Sequence, residues 1–288
     1  MSIKIVTDSS CDLGSNFVKE NNIEVLSLIL NLDGEIIKDD LGVSLKYNDF
    51  YDKLRNGSIP NTSQVNIYSF EEKFKELLND GSEVLYIGLS SALSGTFNSA
   101  NMARNNILEE NPEAKIVIID SLSVSMGVGL LVKKACLMRD ENHSLEEIIE
   151  WIEENKKKIN HTILVDDLQH LKRGGRISGS TAAVGSLLNI KPALKIDDNG
   201  AIASIDKIKG KKKALKYIAD KVKEEAVNSN EQVLYIMHGD ALEDAEALRD
   251  LIASETKFRD ISIQYIGTVI GSHGGPGTIA AIFLGDKR

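Results

Sequence analysis

Short β-branched runs alternate along the chain with segments of helical periodicity. Residues 3–7, 84–89, 115–119, 162–165, 232–237 and 261–270 are apolar without a break or nearly so, as strands covered on both faces are. Between them, Phe70, Phe74, Leu77 and Leu78 share one helix face ahead of Asn79 and Gly81, which punctuate its end. Leu145, Ile148, Ile149 and Ile152 repeat the pattern after Ser144, and Glu147 three residues on completes a capping box. The alternation predicts an α/β fold with mostly parallel sheets. It is interrupted by the polar stretch 153–160 and restarts at the strand 162–165, so the expected division is into domains 1–158 and 159–288. A chain of 288 residues suits two domains at roughly 150 residues each.

Apolar types make up 42% of the residues, enough for cores that need no disulfide or metal staple. Cys11 and Cys136 are too few for a disulfide framework and fit a reducing compartment. The first residues lack the apolar core of a signal peptide, and the longest apolar runs fall short of the ~18 residues that span a bilayer. A cytoplasmic protein is expected. The net charge of −9 hides a split: residues 1–158 carry 16 basic and 26 acidic side chains, residues 159–288 carry 18 and 17. Within 172–216 there are 11 Lys or Arg against Asp197, Asp198 and Asp206. That basic segment contains no aromatic residue to stack on bases, so nucleic acid is not an expected partner.

No P-loop, complete dinucleotide fingerprint or Gly-x-Ser-x-Gly elbow occurs; after Gly127 and Gly129 the third fingerprint glycine is Val132, which points to helix packing. The histidines at 143, 161, 170, 238 and 273 never pair at i, i+3 or i+4 spacing, so no metal site is expected. What stands out is where hydroxyls lie. Residues 90–100 form a strand-to-helix loop that puts Ser94 and Thr96 at a helix N-terminus, where free N–H groups favour an anion, although serine and threonine also cap helices for stability alone. A second loop, 60–64, holds Thr62 and Ser63 ahead of another helix. A third, 272–278, holds His273 beside Gly274 and Gly275 after the apolar run ending at Ile270. Loops that follow the carboxyl ends of strands converge in an open α/β sheet, so these three are expected to meet.

Several segments taken together carry a family resemblance. Thr7-Asp8-Ser9-Ser10-Cys11-Asp12-Leu13, Thr62-Ser63-Gln64, Leu89 through Ala100, Leu171-Lys172-Arg173-Gly174-Gly175-Arg176-Ile177-Ser178, Leu187-Leu188-Asn189-Ile190-Lys191-Pro192 and His273-Gly274-Gly275-Pro276-Gly277 run from end to end in the order found in the DegV family, which this chain resembles. One departure is Val65, where the family motif usually continues with proline. The resemblance implies two α/β domains of the DegV and dihydroxyacetone-kinase-like type, with one long-chain fatty acid in a tunnel of the N-terminal domain. It implies a FakB-type carrier with no cofactor and no catalytic residue of its own, which hands the acid to a separate FakA-type ATP-dependent kinase subunit for conversion to acyl phosphate in phospholipid metabolism.

Carried onto this sequence, the carboxylate-binding positions are Thr62 and Ser94 with His273 close by, and Ser63 and Thr96 as neighbouring hydroxyls. Hydroxyls bind a carboxylate without a permanent countercharge that would hold its oxygen back from phosphoryl transfer. Candidate tunnel walls are Leu26, Leu28, Ile29, Leu30, Met126 and Leu130, each of which an ordinary core would also explain. Arg173, Arg176 and Lys211 are candidates for docking the kinase or, transiently, anionic lipid headgroups. The competing reading is an enzyme, a serine-dependent lipid hydrolase or kinase-like protein using Ser94 and His273; the missing elbow and nucleotide loop argue against it. A regulatory module for another acyl ligand is the third.

Overall fold

The computed structural model of the chain describes residues 2–166, 168–177 and 189–288. Of the family segments, Ser178, Leu187 and Leu188 lie outside the described residues. Thirteen strands are described: β1 (Ile3–Asp8), β2 (Glu24–Leu26), β3 (Ile29–Leu32), β4 (Glu35–Lys38), β5 (Asn61–Ser63), β6 (Glu83–Gly88), β7 (Ile116–Asp120), β8 (Ile159–Leu164), β9 (Ile190–Ile196), β10 (Ile202–Lys209), β11 (Val233–His238), β12 (Asp260–Tyr265) and β13 (Ile279–Leu284). The helices among the described residues are α1 (Ser15–Glu20), α2 (Tyr47–Arg55), α3 (Ile67–Leu78), α4 (Thr96–Glu110), α5 (Met126–Asp140), α6 (Leu145–Asn155), α7 (Gln169–Arg173), α8 (Lys211–Glu225), α9 (Leu242–Glu255) and α10 (Thr268–Gly274). None of them is long and apolar enough to cross a membrane.

The first sheet has the order β2-β1-β6-β7 and is parallel throughout, as the buried runs 3–7, 84–89 and 115–119 predict. The six-stranded sheet, β10-β9-β8-β13-β11-β12, departs from that expectation: β11 and β12 are parallel and every other pair is antiparallel. A small antiparallel sheet, β4-β3-β5, flanks the first. The largest apolar core draws on both halves of the chain, with Ile5, Leu85 and Ile87 packed with Tyr235, Met237 and Ile282.

Local chemistry explains several element boundaries. Ser144 and Glu147 make the reciprocal bonds of a capping box at the start of α6, with the Ser144 N–H donating to Glu147 Oε2 at 2.8 Å. Asn66 caps α3 by accepting from the Ser69 N–H at 2.8 Å. The expected strand 261–270 stops at Tyr265. Gly267 N–H donates to Asp12 Oδ1 at 3.1 Å, and the chain then turns into α10. Val269 and Ile270 are apolar because they face a cavity and the core, which continues the apolar run past the strand's end.

Candidate functional site

Three elements bring the predicted hydroxyls together. Thr62 sits on β5 and not in a loop as expected, because β5 pairs with β3 so that Thr62 lies opposite Leu30. The loop after β6 delivers Ser94 just ahead of α4, where its Oγ accepts from the Thr96 N–H at 3.2 Å and lies 2.9 Å from Thr96 Oγ1. The last turn of α10 delivers His273, whose Nε2 lies 2.9 Å from Thr62 Oγ1. Gln64 ties the first two elements to each other: its Nε2 donates to Ser99 Oγ in α4 at 2.9 Å. Its side chain also lies against Gly95, where a Cβ would collide with it.

These groups stand at the mouth of a cavity of about 330 Å³, near the lower end of the size range of small-molecule sites. Thr62, Ser63, Gln64, Ser94 and His273 line it. Thr96 does not, being fully buried beneath Ser94, so it supports that hydroxyl from behind. The remaining wall is largely apolar and includes Leu28, Leu93, Ile163, Val165, Leu171, Leu194, Ile270, Ala280 and Ile282.

Two expectations about the walls are corrected. Of the six candidates named from sequence, Leu28 borders the cavity. Leu30 packs with Phe50, Tyr51 and Leu54 under the small sheet, Met126 lies in the core shared by the two halves, and Leu26, Ile29 and Leu130 also lie away from the cavity. The cavity is not inside residues 1–158 either. It runs between the halves, with β8, β9, β13 and α10 supplying much of the wall, because β13 pairs with both β8 and β11 and its small Ala280 leaves room on that face. The pair Ala280-Ala281 inside the apolar run 279–284 was the available sequence signal. Val65, the departure from the family motif, is buried against Leu28 and Phe70 and fills core.

Arg176 is a third correction. It was a candidate for surface docking, but the turn after α7 folds it inward. Its Nε donates to Leu93 O at 3.0 Å, Nη1 donates to Gly174 O, and the side chain lines the cavity mouth. The mouth therefore does hold a permanent positive charge beside Ser94, contrary to the expectation of hydroxyls alone. Outside it, Arg173, Arg176, His170, Thr62 and His273 share a vestibule of about 110 Å³. Lys211 is ion-paired with Asp244 at 2.8 Å.

His273 is held neutral. Burial, then the nearby Arg176 and His170, push its pKa down from 6.5 to about 4. Its Nδ1 is buried against Gly174, where a Cβ would collide with the ring, and has no hydrogen-bond partner among the described residues. A buried lone pair without a partner is less costly than a buried N–H without one, so we assign the proton to Nε2. That tautomer donates to Thr62 Oγ1 and leaves the Thr62 hydroxyl hydrogen free for an acceptor in the cavity. Among the described residues Ser94 and His273 are not bonded to each other, and no carboxylate bonds His273 Nδ1. Among the described residues no group of three or more His, Cys, Asp or Glu is placed to hold a metal ion.

Comparison with known proteins agrees over the whole chain. The model of a family described as uncharacterised proteins of the DegV family matches residues 2–286. A DegV domain-containing protein of Clostridium perfringens is 47% identical over 284 residues, covering 99% of this chain and 98% of its own. Among solved structures, a DegV family protein from Thermus thermophilus, described by its fatty acid binding, superposes with a TM-score of 0.89 at 30% identity over 99% of this chain and 100% of its own. DegV from Bacillus subtilis, described as a fatty acid binding protein, does so with a TM-score of 0.85 at 30% identity, again over 99% and 100%.

Proposed function

Because this chain belongs to the DegV family, we propose that it binds one long-chain free fatty acid, chain inward, and presents the carboxylate to a separate ATP-dependent kinase subunit of the FakA type for conversion to acyl phosphate. The observation that carries this reading is a largely apolar cavity with Thr62, Ser94, Arg176 and His273 in its wall, three of which, Thr62, Arg176 and His273, also border the vestibule. An acyl chain gains about 0.8 kcal/mol for each methylene it buries there. Its carboxylate, leaving bulk water, meets the Thr62 hydroxyl backed by His273, the Ser94 hydroxyl, and the positive end of α4.

The same geometry gives the protein a carrier's role. Its own groups bind and orient the acid, and among the described residues Ser94 and His273 are not paired as nucleophile and base. Arg173 and Arg176 at the vestibule favour the approach of an anionic phosphoryl donor to the carboxylate oxygens. On this reading residues 1–158 and 159–288 act as two units that close over one ligand, in the cytoplasm, with transient contact to anionic membrane lipid during loading and phospholipid metabolism as the use of the product.

Native mass spectrometry of the purified protein, followed by extraction of whatever is bound, tests the reading. A single fatty acid per chain is expected; persistent absence of any after exposure to fatty acids would overturn it. Arg173→Glu separates presentation from binding. Arg173 is exposed, its guanidinium resting 3.2 Å from His170 Nδ1. The substitution is expected to retain bound lipid while lowering acyl phosphate formation with the kinase and ATP by at least tenfold, on the order of one lost interfacial charge pair. Equal loss of lipid and turnover would assign Arg173 to the fold instead.

A further inference from the structure

The apolar cavity ends on a histidine. Val165, Ile163 and His161 alternate onto one face of β8 and its extension and all line the cavity. At about 3.3 Å per residue His161 therefore lies about 13 Å inward of Val165. His161 is also a wall of a second pocket, of about 230 Å³, bordered by Asn160, Thr162, Lys195, Tyr217, Lys221 and Arg288. Asn160, Thr162 and Lys195 face the other side of the sheet, toward Tyr217, Lys221 and Glu225 of α8, so the strand backbone separates that pocket from the cavity and the His161 ring belongs to the cavity face.

The ring is fixed in place. Its Nε2 lies 3.0 Å from Ser123 Oγ and 3.3 Å from Val124 O. Gly127 lets the first turn of α5 close against it, since a Cβ there would collide with both His161 Nε2 and Ser123 Oγ. Burial, reinforced by Arg288, pushes its pKa down to about 3, so it stands as a neutral group that an apolar chain end can touch.

We propose that the His161 imidazole is the floor of the acyl cavity and sets the longest chain this protein accepts, an inference that rests on the fatty-acid reading above. A chain stopping at His161 fills the cavity. One running past it would have to displace the ring from Ser123, Val124 and the first turn of α5, which close behind it and leave no room for added methylenes. Shorter chains leave space unfilled beside Ile282 and Met237.

The test offers an equimolar mixture of saturated acids, from myristic to behenic, to the wild type, His161→Ala and His161→Phe, and identifies the bound acids by mass spectrometry after extraction. With alanine the volume of the ring is added to the cavity, and occupancy is expected to shift toward acids longer by about two methylenes, by about tenfold. Phenylalanine keeps a ring in place and is expected to retain the wild-type distribution. An unchanged distribution in His161→Ala overturns the proposal. Because that variant gives up the bond to Ser123, a measurement on the wild type stands beside it: the anomalous signal of a bound ω-bromo fatty acid is expected next to His161, and a bromine placed elsewhere overturns the proposal equally. A wild type that takes up no acid at all removes the fatty-acid reading, and this inference falls with it; a wild type that binds acid without regard to His161 leaves that reading standing.

Discussion

Replacing Thr62 and Ser94 together by alanine is expected to weaken binding of a long-chain fatty acid by about 10²- to 10⁴-fold. Each hydroxyl donates to a charged carboxylate, and such bonds contribute about 1.5–3 kcal/mol, with every 1.4 kcal/mol worth a factor of ten. The chain's own burial is untouched, so the loss is confined to the headgroup. A fatty alcohol of equal length is expected to bind the wild type and the double variant within a few-fold of each other, whereas the acid separates them. Acyl phosphate formation with the kinase and ATP is expected to fall at least as far as acid binding does, because orientation is lost with affinity. Isothermal titration with the matched acid and alcohol checks this. An acid that binds the double variant as tightly as the wild type would remove both residues from the site.

The two single variants disturb different buried bonds. Ser94 bonds to Thr96, so Ser94→Ala takes a partner from both the buried Thr96 hydroxyl and the Thr96 N–H. Thr62 is the acceptor for the His273 Nε2 proton, so Thr62→Ala strands a buried donor as well. Each variant is expected to cost about 1–3 kcal/mol of stability, seen as a melting temperature below that of the wild type. The pair shares one network with His273, and their effects should not add.

What the sequence disclosed and what it hid follow from the range of the interactions involved. The capping box at Ser144 and the β6 strand were legible because bonds three residues apart and a continuous buried run are local. Strand β5 was not legible: Asn61, Thr62 and Ser63 are polar and become a strand through pairing with β3, thirty residues earlier in the chain. The run 261–270 misled for a related reason. Apolar character there has two causes, the strand up to Tyr265 and the cavity wall at Val269 and Ile270, and a one-dimensional pattern does not separate them. At the site, Thr62, Ser94 and His273 were legible as motif residues. Arg176 was not, since charged residues are ordinarily solvated, and its inward turn is set by Leu93 O and Gly174 O. The position of the cavity depends on β13 lying between β8 and β11, a pairing across some 120 and 45 residues of sequence that spacing does not record.

The other large effect expected is on stability, and it concerns Asp12. This residue is buried at the end of the first family motif with φ 53°, its Oδ2 bonded to Ser125 Oγ and its Oδ1 accepting the Gly267 N–H at 3.1 Å, and so it joins the N-terminal half to the turn that starts α10. Burial, then the nearby Asp39 and Asp8, outweigh these bonds and raise its pKa from 3.8 to about 8. In the folded protein the carboxyl keeps its proton up to about pH 8, while in the unfolded chain it loses it near 3.8. The unfolded state therefore binds fewer protons throughout that window, and this group's contribution to stability is present in full below pH 3.8 and lost as pH rises toward 8. Asparagine offers the same carbonyl to Gly267 and an amide to Ser125, tolerates the left-handed backbone, and has no proton to lose. Asp12→Asn is accordingly expected to match the wild type near pH 4 and to become the more stable protein as pH rises, by at most about 1.4 kcal/mol per pH unit, or up to about 4 kcal/mol between pH 5 and 8. His161 and His273 act with the opposite sign, since their neutral forms are the folded ones and their contribution is lost as pH falls below 6.5. They are present in both proteins, so the difference between the two urea-denaturation curves isolates Asp12. A difference that stays constant from pH 5 to pH 8 would show that Asp12 is ionised in the fold and that its bonds to Ser125 and Gly267 hold a carboxylate.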